Sequence, residues 1–172
     1  MVSLQSSNNS YLEETESCYP KPCQLIYKSY TKGSIMDVIT TYSPLFSYLV
    51  QFSKLDYMLD SMEFKGTCIV PCIEYSNTYM DYISKNINIL RAREIVLSSL
   101  LRAPMLYSNL QNEESIPTLN RYYDLELVNY SDQVFIRNQK IPGNYIQFIK
   151  TDLQCKNGVL HLINGLIDPS LN

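Results

Sequence analysis

Tryptophan is absent from this 172-residue chain, alanine occurs only at Ala92 and Ala103, and His161 is the only histidine. A single histidine excludes the paired-histidine metal motifs of hydrolytic zinc enzymes. The five glycines are scattered singly, so no glycine-rich phosphate loop exists. No stretch approaches the roughly 20 apolar residues that a membrane helix requires, so no membrane span is expected. The start, MVSLQSSNNSYLEETES, has neither a basic n-region nor an apolar h-region, and no secretory signal is expected in this chain. A concentrated basic surface is missing too. The net charge is −3 and the isoelectric point near 5.1, which argues against a nucleic-acid groove. Arg91, Arg93 and Arg102 form the tightest basic cluster, and it reads as a solvated helix face.

What is present is a core-forming composition, 45% hydrophobic and 18% charged, in a length that suits one domain. Tyrosine occurs 15 times. Its abundance beside Ile, Asn and Lys follows A/T-rich codons and points to an A/T-rich genome. Tyr27, Tyr30, Tyr42, Tyr48, Tyr75, Tyr79, Tyr82, Tyr122 and Tyr123 either replace other aromatics under that codon pressure or serve as interface residues. Five cysteines cannot all pair within one chain. The Cys18–Cys23 and Cys68–Cys72 spacings are longer than a zinc knuckle, which favours a Cys18–Cys23 disulfide over a metal site. Cys68, Cys72 and Cys155 then act as small buried hydrophobes.

Residues 1–33 form an expected arm, its first 24 residues polar and ending in Pro20 and Pro22; the folded domain is expected over 34–172. Helical spacing runs from Ile35 through Phe52, with Ser43-Pro44 as a helix start, and on through Leu59 toward Glu63. Thr67–Ile73 reads as a buried strand that Pro71 ends or bends. Ser76–Ile83 and Leu90–Leu101 return to helical spacing. The remainder alternates as strands: Tyr123–Val128 and Val134–Ile136 form a hairpin about Ser131-Asp132, and Asn138-Gln139 makes a further turn. Tyr145–Leu153 and Val159–Ile163 then flank Asn157-Gly158, a turn attributed to tolerance of positive φ. Helices first and strands later predict an α+β fold.

The C-terminal stretch from Ile149 to Pro169 resembles the closing motif of fasciclin-like domains, keeping Asn157, Gly158, Val159, His161 and Pro169. Thr67 and Pro71 stand as in the family's upstream strand, and Val134–Ile141 is similar to its strand–Asn-Gly–strand, with Asn138 kept and Gln139 in place of glycine. The resemblance covers roughly residues 34–169. It implies N-terminal helices packed on a β-sandwich or wedge, and a structural role for His161. The family's Tyr-His pair, associated with receptor contacts in animal adhesion members, is missing at Ser98–Leu101, which counts against integrin-type binding.

No nucleophile stands in a motif that places it beside His161. Asp152 with Asp168, and Glu113 with Glu114, read as chance pairs, the latter in a polar loop. The expectation is therefore no enzyme, no cofactor and no metal, but a non-catalytic protein-interaction or structural module. Its partners would be other proteins, met through residues 1–33 and surface tyrosines. A minor virion or capsid-associated component of a large DNA virus, in the virion or host cytoplasm, is the finer expectation. Extracellular adhesion or matrix binding is the alternative.

Overall fold

Ser34 opens the first helix, α1 (Ile35–Tyr42), by accepting a hydrogen bond from the Asp37 amide at 3.1 Å. The computed structural model describes residues 28–72, 87–137 and 143–170. Helix α2 (Pro44–Phe52) starts at Pro44, as the sequence suggests, but Ser43 does not cap it with its side chain. The buried Ser43 hydroxyl instead donates to the carbonyl of Pro71, joining the α1–α2 corner to the first strand. The third helix, α3 (Asp56–Asp60), is shorter than the apolar spacing implies, because Ser61 turns the backbone to an extended conformation. Asn88 caps α4 (Ile89–Ser98), its Oδ1 accepting from the Arg91 amide at 2.9 Å. The helical reading of Leu90–Leu101 overruns here. Leu100 and Leu101 leave the helix to form a strand opposite Cys68 and Thr67, a long-range pairing that overrides local spacing.

Among the described residues there are seven strands: β1 (Gly66–Pro71), β2 (Leu100–Leu101), β3 (Ser115–Pro117), β4 (Asp124–Tyr130), β5 (Gln133–Arg137), β6 (Tyr145–Cys155) and β7 (Gly158–Ile163). A one-turn helix, α5 (Tyr107–Leu110), precedes β3. The sheet order is β2-β1-β7-β6-β5-β4-β3, with β1 parallel to β7 and the other pairs antiparallel. An isolated bridge between Leu101 and Thr118 draws the two ends of this order together, so the sheet curls into a near-barrel. The result is an α+β fold whose helices, among the described residues, are short.

Two apolar clusters follow from the period-two geometry of β1 and β7. Cys68 and Val70, with Leu160 and Leu162, face the helices and pack with Ile35, Phe46, Leu49, Ile95 and Val96. Ile69 and Ile163 face the barrel interior, with Leu125, Leu127, Val134, Ile136 and Ile146. Both faces of β1 are covered, which is why TCIVP reads as a continuous apolar run. The β4–β5 hairpin forms as its sequence predicts: Tyr130 pairs with Gln133 across Ser131 and Asp132, whose φ values of 50° and 64° suit a tight primed turn.

The β6–β7 hairpin forms for a different reason. Cys155 pairs with Gly158, so Lys156 and Asn157 make the turn, and neither has a positive φ. Asn157 is buried by its side-chain bonds rather than selected for left-handed backbone. Gly158 lies opposite Gly66 in the parallel β1–β7 pair, where a Cβ on Gly158 would overlap the Gly66 carbonyl oxygen. Ser76–Ile83, Asn138-Gln139 and Cys18–Cys23 lie outside the described residues.

Candidate functional site

Thr67 and His161, both carried by the sheet, hold one connecting segment between them. The Thr67 hydroxyl donates to the Ala103 carbonyl at 2.8 Å and accepts from the Met105 amide at 2.7 Å. His161 Nε2 lies 2.9 Å from the Met105 carbonyl, and its Nδ1 lies 3.1 Å from the Asp152 amide. A carbonyl can only accept and an amide can only donate, so the proton sits on Nε2 and the ring is neutral. Burial lowers the His161 pKa, opposed by its Met105 hydrogen bond and by the Asp152 charge. Phe148 meets the imidazole edge to face, with ring centroids 5.8 Å apart. His161 is fully buried, on the face opposite Leu160 and Leu162, and both its nitrogens are engaged by backbone. In this arrangement the ring bridges two backbone segments. Replacing Thr67 with Val should cost about 1–2 kcal/mol in denaturant titration, because two backbone groups lose a partner within an otherwise similar shape; no change in midpoint would contradict the latch.

The carboxylates are separately engaged. Asp152 has a left-handed φ of 60° at an irregularity in β6 opposite His161, and its Oδ1 accepts from the Tyr107 amide at the start of α5, 2.8 Å away. Asp168 is buried, paired with Arg91 and bonded to Ser170; Pro169 follows it in a half-buried turn. Asp56 is buried beneath Lys28 at 2.7 Å and Tyr30 at 3.2 Å, while Asp60 accepts from Thr31 and Ser34. Residues 28–34 are thereby fastened to α3. Burial, then the Asp56 charge, pushes the Tyr30 phenol far above its ordinary range. Cys68, Cys72 and Cys155 are free thiols. Burial raises the Cys68 thiol well above its usual value and carries that of Cys155 to about 11, so neither offers a thiolate near neutral pH. Among the described residues no group of three His, Cys, Asp or Glu side chains could hold a metal ion, and no helix is long and apolar enough to cross a membrane.

The surface presents a different arrangement on the outer face of β4, β5 and β6. Inward residues Leu125, Leu127, Val134, Ile136 and Ile146 fill the barrel, which turns Val128, Tyr130, Phe135 and Tyr145 outward. These four line an open groove of about 370 Å³. Tyr130 is 73% exposed and Tyr145 47% exposed, and Phe135 meets Tyr145 edge to face at 6.3 Å. Val128 also borders a polar cleft of about 700 Å³, whose lining includes Glu113, Glu114, Glu126 and Arg137. Here the acids of the Glu113-Glu114 loop do have a setting: they line a cleft that meets the aromatic groove at Val128.

Comparison with solved structures finds a match to the FAS1 domain pair of the insect cell adhesion molecule fasciclin I, with a TM-score of 0.64 and 14% identity. It covers 79% of this chain and 51% of that one, so the chain spans about half the length of the domain pair. The chain has a fasciclin-like fold. No family model and no curated protein matches the sequence.

Within the fasciclin-like fold the tyrosines separate by position. Tyr42 and Tyr48 pack against the helical core and Tyr123 is buried in the barrel, whereas Tyr122 is exposed. Tyr27, Tyr75, Tyr79 and Tyr82, like Asn138, lie outside the described residues. The aromatic surface is built by Tyr130, Phe135 and Tyr145, none of which the tyrosine spacing singled out. Their signal was strand parity: each stands one step out of phase with the buried residues of its own strand.

Proposed function

We propose that this chain is a non-catalytic protein-interaction module that contacts its partner through the outer face of β4–β6. The carrying observation is the clustering of Tyr130, Phe135, Tyr145 and Val128 around one open groove with no covering helix among the described residues. Exposed aromatic clusters of this kind supply large, desolvatable contact area at low entropic cost. The fasciclin-like fold supports the same class of role, since the structural relative is a cell adhesion molecule. Residues 1–33 would add a second contact. The setting for this role would be adhesion outside a cell, in line with the fold, or assembly into a virion, in line with the composition.

The test is affinity capture from the native source with three baits: the intact protein, the Tyr130→Ser/Tyr145→Ser double variant, and a chain lacking residues 1–24. The reading expects a defined partner protein on the intact bait and its loss on the double variant. Loss with the tail deletion would make the arm a second anchor. A monomer that captures no protein, or the same partner on the double variant, overturns the use of this face.

A further inference from the structure

We infer that the β4–β6 face takes an extended peptide segment of a different protein, one carrying Lys or Arg beside a large apolar side chain. The inference rests on the interaction role proposed above and specifies its partner. Three carboxylates, Glu113, Glu114 and Glu126, line the cleft against one guanidinium, Arg137. Arg137 lies 3.9 Å from Glu126, and both are substantially solvated. The Glu113 and Glu114 carboxylates have no hydrogen-bond or ion-pair partner among the described residues. Among the described residues the cleft lining therefore carries more acid than base, and the cleft meets the aromatic groove at Val128, which is common to both surfaces. Carboxylates attract a cation by charge, and tyrosine faces attract it by their quadrupole; the groove accepts the apolar neighbour.

Charge also rules on the other occupants. Residues 1–27 carry Glu13, Glu14 and Glu16 against Lys21 alone, so the chain's own N-terminal segment would bring acid to acid. A second copy docking the same face symmetrically would do likewise. Sulfated glycans and nucleic acids are polyanions and are repelled by the same carboxylates. An extended segment suits the site because the groove and cleft lie side by side on one sheet face, where alternate side chains of a strand-like peptide reach down together.

Random peptides displayed on phage, selected on the intact protein and counter-selected on the Tyr130→Ser/Tyr145→Ser variant, test this. The expected enrichment is peptides with Lys or Arg next to an aromatic or large aliphatic residue. A synthetic peptide from that pool should bind about tenfold more weakly to Glu113→Lys/Glu114→Lys, and weaken as salt rises. Both substituted glutamates are exposed, so the fold is retained, which circular dichroism checks. Enrichment of acidic or uncharged peptides, or unchanged binding to the Lys variant, overturns the partner chemistry while leaving the use of the face intact. If no peptide distinguishes the intact protein from the tyrosine variant, the inference fails outright. The capture experiment above then decides independently whether the face is used at all.

Discussion

Replacing Asn157 with Ala should cost about 3–5 kcal/mol of stability, a large share of the 5–15 kcal/mol typical of a domain. The amide is completely buried and makes three backbone hydrogen bonds. Its Oδ1 accepts from the Ile35 amide at 2.7 Å, and its Nδ2 donates to the carbonyls of Leu59 at 2.8 Å and Ser61 at 2.9 Å. One side chain in the β6–β7 turn thus ties the start of α1 to the end of α3. Alanine would leave a donor and two acceptors facing a space from which most solvent is excluded, and each unmet group carries a desolvation cost of about 1–3 kcal/mol. Full additivity is not expected, because Ser61 is only half-buried and water can reach part of the site.

Asn88→Ala supplies the control. Asn88 also holds a helix-start amide, that of Arg91, but in an exposed position, and its loss should cost only about 1 kcal/mol. Asn157→Asp sharpens the test further. At neutral pH a carboxylate oxygen would replace the amide nitrogen and face two carbonyl oxygens, so this near-isosteric change should be at least as damaging as alanine. Urea titration with unchanged m-values measures all three. A cost for Asn157→Ala no greater than that for Asn88→Ala would refute the pinning role.

The same residue illustrates what can be read along the chain and what cannot. Asn157-Gly158 marks a turn in any sequence, and the turn is there. Its usual reason, tolerance of positive φ, does not operate at Asn157, because the partners that select this asparagine lie about a hundred residues upstream. Gly158 likewise answers to Gly66 across a parallel pairing invisible to local pattern. Where the cause is local the reading succeeds: Ser131-Asp132 sits between two alternating runs and forms the predicted turn. Where a distant strand decides, it fails, as at Leu100 and Leu101. The aromatic surface occupies a middle position. Alternation shows that Tyr130 and Phe135 oppose the buried residues of their strands, yet it cannot say whether the opposite face is bare. On β1 and β7 that face is packed against helices; on β4–β6 no described helix covers it.

His161 yields the second large effect, and it has a signature beyond simple destabilisation. His161→Ala should cost about 3–4 kcal/mol, through a cavity beneath Phe148 and the loss of partners for the Asp152 amide and the Met105 carbonyl. His161→Gln should recover part of this, since an amide supplies one donor and one acceptor. The pH dependence separates the hydrogen-bonded neutral ring from mere volume. The folded protein holds the imidazole neutral and its pKa is lowered, chiefly by burial, while the unfolded chain has a histidine near the ordinary value of 6.5. Below that value the unfolded state binds more protons than the folded state. Stability therefore falls as pH drops through about 6.5, by up to about 1.4 kcal/mol per pH unit, and is fully present above it. Because His161 is the only histidine, no second imidazole can supply this slope. Comparing urea midpoints of wild type and His161→Gln at pH 7.5 and 5.5 isolates the effect, above the range where most carboxylates titrate. The wild type should lose roughly 1 kcal/mol across that interval relative to the glutamine variant. Parallel pH profiles would mean that the ring is protonated as readily in the folded state as in the unfolded one. The assignment of its Nδ1 as an acceptor from Asp152 would then be wrong.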